Sequence, residues 1–302
     1  MSVRVAAVQI GPIEGDPEAT VAKAEHWLDK AGEAGVQLAV FPEGYLPGYT
    51  EIQEAKQSGS EDALAEVLGS LEPIPGPATD RIAAKAREHE TLVAFGMLAR
   101  GENGGRPTNA SVLFGADGSI VNVHRKVHLT PAYEAPDFDS GAEFNVTDTP
   151  IGPLGNMVCA DFTLPETSRV LAIKGARILC GSVAAFYLPP PEPRENLRHL
   201  YDYSHTSPTR ALDNSVFMVM ANMCGINAGL EFFGVSRIIA PSGKILAQGA
   251  EGAGNEELVI ADLDIADLDG GMPFRMIDRR RPDLYGDLLT PNPDAASVDW
   301  RR

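Results

Sequence analysis

Short apolar segments rich in β-branched residues alternate with helix-like segments along most of this chain, and this alternation constrains the fold more than any other feature. Residues 3–10 and 37–41 have the composition of buried strands. Between these strands, Asp16 suits a helix N-cap and Pro17 the first helical position, whereas Gly35 suits the helix end. The same patterns predict later elements, which are strands at 91–97, 154–158, 177–181, 216–221 and 258–262 and helices at 61–70, 79–90, 165–174 and 207–214.

Two hairpins interrupt the alternation. An Asp-Gly turn joins predicted strands at 110–114 and 119–123, and a Pro-Ser-Gly turn joins a pair at 235–240 and 244–247. Antiparallel pairs of this kind argue against a purely parallel barrel. The sequence therefore predicts an α/β fold in which mixed sheets carry helices on their outer faces.

The composition excludes several classes of protein. Of the 302 residues, 44% are hydrophobic and 22% are charged, which suffices for a large core and argues against a disordered chain. Acidic residues outnumber basic ones by 42 to 25, and the net charge of −17 repels phosphate backbones. We therefore expect no nucleic-acid partner and no membrane partner. No segment approaches the run of about 18 apolar residues that a membrane-spanning helix needs.

No Ser/Gly-rich linker divides the chain, so we expect one domain over residues 1–269, followed by a C-terminal arm at 270–302 that is rich in Arg, Asp and Pro. The three cysteines form no CxxC pair, and their odd number argues against a disulfide framework. The N-terminus lacks the charged and apolar regions of a signal peptide. These features together predict a cytoplasmic protein.

The usual catalytic and cofactor motifs are absent from the sequence. It contains no GxSxG, HExxH, P-loop or GxGxxG pattern. His124 and His128 are four residues apart, but they lie at the end of a predicted strand, and we expect this spacing not to place them on one face. We therefore expect no metal site and no cofactor.

Three reactive side chains follow predicted strands, namely Glu43, Lys126 and Cys159. The ends of strands are where α/β folds gather functional groups. Each residue alone has an ordinary structural explanation as a turn residue, a solvated charge or a small core side chain. Together they fit one chemistry, because a thiol can attack a carbonyl carbon, a carboxylate can move its proton, and an ammonium can stabilise the oxyanion.

The segments around these residues resemble sequence blocks of the carbon–nitrogen hydrolase (nitrilase) superfamily, and the resemblance covers roughly residues 3–265. The blocks are Phe-Pro-Glu ending at Glu43, His-Arg-Lys-Val-His-Leu at 124–129 and Gly-Asn-Met-Val-Cys-Ala-Asp at 155–161. Glu134, followed by Phe and Gly at the family's spacing, matches another block. Later blocks also match, at 210–214, 221–222, 233–236 and 241–243.

The resemblance implies a four-layer αββα sandwich with a Glu–Lys–Cys site. In that site Cys159 is the nucleophile, Glu43 the general base, and Glu134 a fourth catalytic member. Lys126 and the backbone N–H of Ala160 bind the oxyanion. The family also commonly forms homodimers or larger homo-oligomers, in which the C-terminal arm contributes to the interface.

The resemblance leaves the reaction open. Residues 159–161 read Cys-Ala-Asp, where true nitrilases usually read Cys-Trp-Glu, and this favours a small amide or N-carbamoyl substrate. Residues 46–49 instead resemble the nitrilase version of the first block, so a nitrilase is the alternative. A catalytically silent binding or scaffold member is a further alternative, which would require a blocked pocket because the three reactive residues are present.

The residues that select the substrate are less distinctive. Tyr49, Tyr133 and Phe162 are candidates for a pocket wall. Arg194 and Arg198 lie in a long charged loop, and either could bind a substrate carboxylate.

Overall fold

The computed structural model describes residues 2–131, 134–187, 205–269 and 275–290. Within these ranges the helices are α1 (Pro17–Glu33), α2 (Thr50–Ser58), α3 (Glu61–Ser70), α4 (Pro77–Glu88), α5 (Pro165–Ile173) and α6 (Thr206–Asn214). The strands are β1 (Ser2–Gln9), β2 (Leu38–Val40), β3 (Leu92–Ala99), β4 (Thr108–Phe114), β5 (Ile120–Arg125), β6 (Val146–Thr147), β7 (Leu154–Val158), β8 (Ile178–Val183), β9 (Phe217–Asn222), β10 (Cys224–Asn227), β11 (Leu230–Phe233), β12 (Arg237–Ile239), β13 (Ile245–Gln248) and β14 (Glu257–Asp264). Every predicted helix and strand is present, with small shifts at the ends.

The described strands form two six-stranded mixed sheets and one small hairpin, β10–β11. The first sheet has the order β14-β1-β2-β3-β4-β5, with β1, β2 and β3 parallel and the outer neighbours antiparallel. The second has the order β13-β12-β9-β8-β7-β6, with β7, β8 and β9 parallel. Each sheet therefore has a parallel centre and antiparallel edges.

The two sheets pack face to face through alternate residues of their strands. Val3 and Val5 of β1 belong to the same buried cluster as Ile178 of β8 and Val219 of β9. Ala6, the residue after Val5, belongs to a different cluster, on the other face of the first sheet. This alternation is expected for a strand that is buried on both faces.

Helices cover both outer faces. Helices α1 and α4 pack on the first sheet, and helices α5 and α6 pack on the second. Asp16 caps α1 by accepting a hydrogen bond from the Ala19 N–H at 2.9 Å, while Val21, Ala24 and Leu28 form its buried stripe. The order of layers is helix, sheet, sheet, helix, which confirms the predicted four-layer αββα sandwich.

Helix α2 and the β10–β11 hairpin are not predicted from the sequence. Helix α2 buries only Ile52 and Ala55, so it lacks the broad apolar face that indicates a helix. Each strand of the hairpin has only four residues, and polar side chains interrupt both. Such short segments give no clear periodicity.

The C-terminal arm is only partly described. Residues 275–290 form three short 3-10 turns, and Ile277 packs into the core beside α5 and α6. The rest of 270–302 lies outside the described residues, so the domain boundary and the place of the arm at a dimer interface stay predictions. No helix within the described ranges is both long and apolar enough to cross a membrane.

Candidate active site

The three reactive residues singled out in the sequence follow strands of both sheets. Glu43 follows β2, Lys126 follows β5, and Cys159 follows β7 directly. Glu43 and Lys126 are buried, whereas Cys159 is partly exposed. A hydrogen bond from the Cys159 thiol acts on the pKa of Glu43 and the charge of Cys159 acts on the pKa of Lys126, so the structure brings the three residues together.

Lys126 bridges two buried carboxyl groups. Its Nζ lies 2.7 Å from Glu43 Oε1 and 2.6 Å from Glu134 Oε2. Two carboxylates this close repel each other unless a cation or other donors stand between them. The ammonium of Lys126 therefore offsets part of the repulsion between these two buried carboxyl groups.

Asn109 is a second bridge between the same two carboxylates, and the sequence analysis missed it. Its Nδ2 donates to Glu43 Oε1 at 2.8 Å and to Glu134 Oε1 at 2.7 Å. Its backbone carbonyl accepts from the Lys126 N–H at 2.8 Å. The available signal is a buried Asn at the start of an apolar strand, where this residue type is unfavourable.

Backbone N–H groups complete the hydrogen bonds of the two carboxylates. The Ala184 N–H donates to Glu43 Oε2 at 3.0 Å, and the Thr130 N–H donates to Glu134 Oε2 at 2.8 Å. Each carboxylate thus accepts from Lys126, Asn109 and one backbone group. This arrangement fixes the orientation of both side chains before any substrate binds.

The charges in this network shift the pKa values of its members. Burial raises the pKa of Glu43 above its ordinary value, and the Lys126 charge only partly opposes this. Burial also acts to raise the pKa of Glu134, but the Lys126 charge and the donated hydrogen bonds outweigh it and leave that pKa lowered. For Lys126, the negative charges around it outweigh desolvation and raise its pKa. Lys126 therefore stays protonated, and Glu43 is the group with the raised carboxyl pKa.

Cys159 occupies a strained turn at the end of β7. Its φ of +41° lies in the left-handed region, which is unfavourable for a residue with a side chain. A 3-10 turn begins at this residue and spans Cys159–Phe162.

Cys180 and Cys224 differ from Cys159, because both are buried and burial raises the pKa of each thiol to about 12. Those two cysteines are core residues.

The remaining predicted site residues have different surroundings. Ala160 is the partly exposed residue after Cys159, at the start of the 3-10 turn. The Tyr49 hydroxyl lies directly over Gly44, since a Cβ on that glycine would come within 2.5 Å of it. Burial and the nearby charges of Glu43, Glu134 and Cys159 raise the pKa of Tyr49. Tyr133, Arg194 and Arg198 lie outside the described residues.

Phe162 is a core residue rather than part of a pocket wall, which corrects the prediction. It is fully buried in the cluster between the second sheet and helix α5. Its ring occupies the space above Gly181, where a Cβ would lie 1.9 Å from Phe162 Cζ. The apolar ring fills the gap that a strand glycine leaves.

The expectation that His124 and His128 lie on different faces is wrong. Both side chains bind the carboxylate of Asp161, at 2.8 Å each. His124 is the penultimate residue of β5, but His128 lies beyond the strand, where the chain has turned. Residues four apart along a strand point to the same face, so the expectation is wrong even for a continuous strand.

One group of side chains in the described part of the chain has the spacing of metal ligands. It consists of Asp29, Glu88 and His89, on helices α1 and α4 and at the C-terminal cap of α4. The Lys85 ammonium lies 2.7 Å from Asp29 and 3.0 Å from Glu88. Because the Lys85 ammonium already pairs with both carboxylates, we interpret this group as a surface ion-pair network.

The fold and the cluster of Glu43, Lys126 and Cys159 match those of enzymes that hydrolyse carbon–nitrogen bonds. Residues 4–270 match the sequence model of the carbon–nitrogen hydrolase family, and the chain belongs to that family. The matched range includes Glu43, Asn109, Lys126, Glu134 and Cys159.

Relatives with assigned names include nitrilases and amidases. A nitrilase from Pyrococcus abyssi is 31% identical over 267 residues, which cover 87% of this chain and 90% of that protein. A probable nitrilase from Schizosaccharomyces pombe is 29% identical over 299 residues, which cover 96% of this chain and 100% of that protein.

Solved structures support the same fold. The carbon–nitrogen hydrolase from Helicobacter pylori G27 superimposes with a TM-score of 0.79 at 24% identity, over 96% of this chain and 99% of that one. The amidase from Nesterenkonia sp. AN1 superimposes with a TM-score of 0.74 at 24% identity, over 95% of this chain and 100% of that one. At these identities the likeness establishes the fold, and the choice between amide and nitrile remains a question for the site.

Proposed function

We propose that this enzyme hydrolyses a small amide or N-carbamoyl compound through a thioester on Cys159 and releases ammonia. The observation that carries the proposal is the buried Glu43 carboxyl group, which bonds the Lys126 ammonium at 2.7 Å and whose pKa is acted on by a hydrogen bond from the Cys159 thiol. A nucleophile, a proton carrier and a fixed positive charge are thus adjacent. These are the parts that acyl transfer from a carbon–nitrogen bond requires.

In the first half of the proposed reaction, the Cys159 sulfur attacks the carbonyl carbon. Glu43 takes the thiol proton as the carbon–sulfur bond forms, and it delivers this proton to the leaving nitrogen as the carbon–nitrogen bond breaks. In the second half, Glu43 takes a proton from water, which attacks the thioester and releases the acid. Glu43 then returns the proton to the Cys159 sulfur. A raised carboxyl pKa suits a group that must both accept and deliver a proton.

Lys126 and the Ala160 N–H are the proposed oxyanion donors. The Lys126 ammonium stays charged between its two carboxylates, so it can stabilise negative charge that develops on the substrate oxygen. The Ala160 donor is a backbone group and does not depend on the side chain. Glu134 would hold Lys126 in place through the 2.6 Å contact.

The amide proposal rests on the small residue that follows the nucleophile. Ala160 is partly exposed beside Cys159 and is much smaller than the Trp that typical nitrilases have at this place. The opposite proposal, a nitrilase, is favoured by the 31% identity to the Pyrococcus abyssi protein. A catalytically silent member is less consistent with a partly exposed Cys159 beside a complete Glu43–Lys126 pair.

Ammonia release from substrates with matched acyl chains separates these proposals. Butyramide, butyronitrile and an N-carbamoyl amino acid would each be mixed with wild-type protein and with the Cys159→Ala variant. We expect ammonia from the amide or the carbamoyl compound with wild type only. Ammonia from the nitrile alone would instead identify a nitrilase, and equal rates in both proteins would overturn the thiol mechanism.

A further inference from the structure

We propose that Asp161 is a positioning residue that holds the turn at Cys159 against the segment that carries Lys126. The inference rests on the proposed function, because it concerns the geometry of the same site. Asp161 is fully buried and lies two residues after Cys159. Neither the sequence blocks nor the reaction steps above give this carboxylate a task.

The Asp161 carboxylate accepts four hydrogen bonds. Its Oδ2 accepts from the Val158 N–H at 3.1 Å and from His124 Nε2 at 2.8 Å. Its Oδ1 accepts from the His128 N–H at 3.1 Å and from His128 Nδ1 at 2.8 Å. Because a carboxylate only accepts, each histidine nitrogen that faces it carries a hydrogen.

The four donors come from two segments that are distant in sequence. Val158 precedes Cys159, and the bond from Val158 closes the turn around the nucleophile. His124 and His128 lie two residues before and two residues after Lys126. One carboxylate therefore connects the residues flanking the nucleophile to the residues flanking the ammonium.

The backbone at Cys159 explains why such a connection is needed. A φ of +41° at a residue with a side chain is a strained conformation, which persists only where its surroundings enforce it. The bond from the Val158 N–H to Asp161 stabilises this conformation directly. A displacement of about 1 Å in a catalytic group can lower a rate about 100-fold, so small relaxations of this turn would matter.

The two imidazole rings are also held in orientation by packing. Each stacks on the Phe144 ring, with centroid distances of 6.1 Å and interplanar angles of 21° for His124 and 22° for His128. The Thr167 hydroxyl lies 3.5 Å from His128 Nδ1, on the side of helix α5. The donors therefore remain aimed at Asp161 from fixed positions.

An amide cannot replace this carboxylate without loss. Four donors require four acceptor positions, and a carboxylate provides them, whereas an asparagine provides one oxygen and directs an NH₂ group at two of the donors. The Asp161→Asn variant has nearly the same size, so it tests the bonds without creating a cavity. His128→Leu removes one side-chain donor at a partly exposed position, and His128→Asn restores a donor at the place of Nδ1.

The test uses the rate at which iodoacetamide alkylates Cys159, which needs no substrate. If the Cys159 thiol moved away from the Lys126 ammonium, the pKa of the thiol would rise and alkylation near neutral pH would slow. We expect Asp161→Asn to slow alkylation about tenfold or more and to lower kcat with little change in KM, on the basis that misplacement is costly. We expect His128→Leu to lower the alkylation rate and kcat by a smaller factor, and we expect His128→Asn to recover most of that loss. Asp262→Asn, which removes an exposed partner of Arg4, is the matched control and should behave as wild type.

The outcomes separate this inference from the proposed function. If folded Asp161→Asn and His128→Leu, judged by circular dichroism, are alkylated and turn over substrate within about twofold of wild type, the inference is overturned. Should Asp161→Asn fail to fold, the comparison of His128→Leu with His128→Asn decides. If alkylation slows as expected but wild type hydrolyses none of the substrates, the positioning role holds and the proposed function fails.

Discussion

Lys126 Nζ lies 2.7 Å from Glu43 Oε1, and both side chains are almost completely excluded from solvent. A buried ion pair of this kind contributes little net stability, because the cost of removing two charges from water offsets their attraction. Its value in this molecule is chemical. It keeps an ammonium charged beside a carboxyl group whose pKa is raised, within reach of the Cys159 thiol.

Replacing Lys126 tests the proposed oxyanion donor. Lys126→Gln keeps a hydrogen-bond donor but removes the charge that separates Glu43 from Glu134. We expect kcat to fall at least about 100- to 1,000-fold, which is the usual cost of losing one oxyanion donor. Steady-state kinetics on the best substrate measures this, with the exposed Lys244→Gln as the control. A loss of less than about tenfold would be inconsistent with the proposed role of Lys126.

Replacing Asn109 should change the pH dependence of activity. Glu43 must be ionised to take the thiol proton, so activity falls as the pH falls through its raised pKa. Asn109 donates to the ionised form, and Asn109→Ala removes that stabilisation. The pKa of Glu43 then rises further, and the acidic limb of kcat/KM is expected to shift to higher pH. Asn122→Ala, on the neighbouring strand, is the control, and an unshifted limb in Asn109→Ala would contradict the assignment of Glu43 as base.

The Asp161 carboxylate predicts a pH-dependent contribution to stability. Burial acts to raise its pKa, but the hydrogen bonds from His124 and His128 outweigh burial and lower the pKa below the ordinary value of 3.8. A lowered pKa means that the stabilisation is complete above 3.8 and is lost as the pH falls below it. Near neutral pH, the free energy of urea unfolding should therefore be larger for wild type than for Asp161→Asn. The difference between the two proteins should shrink in acid. A difference that stays constant from neutral pH into acid would show that the charge of Asp161 is not involved.

The contact between Phe162 and Gly181 predicts a non-additive pair of substitutions. Gly181→Ala would place its Cβ 1.9 Å from Phe162 Cζ, and overpacking of this kind typically costs about 1–3 kcal/mol. Phe162→Leu, a smaller side chain, also costs stability on its own. In the double variant the added methyl group enters the space that the ring vacated, so the total cost should be less than the sum. Urea unfolding of the four proteins measures this coupling, and strict additivity would show that the ring does not occupy that space.

Much of the fold follows from local patterns in the sequence. The apolar runs that became β2, β5 and β7 locate the strand ends, and the reactive residues Glu43, Lys126 and Cys159 stand just beyond them. The Asp16 cap and the buried stripe of α1 are also local features. Patterns of this kind are visible because they repeat every two or every 3.6 residues.

The missed features depend on contacts between residues that are distant in sequence. Asn109 and Glu43 are 66 residues apart, and Asp161 and His124 are 37 residues apart. No local periodicity connects such pairs. The first contact needs β2 and β4 to join the same sheet, and the second needs the two sheets to pack. The error at Phe162 has the same origin, because the sequence shows an aromatic residue near Cys159 but not the glycine of β8 beneath it.

Intact-protein mass spectrometry after brief mixing with butyramide tests the central claim most directly. The account predicts an acyl adduct on Cys159 together with ammonia release in wild type, and neither in Cys159→Ala. An N-carbamoyl amino acid in a parallel sample extends the test to the second substrate class. Ammonia release at the wild-type rate from Cys159→Ala, or an adduct that maps to Cys180 or Cys224, would contradict it.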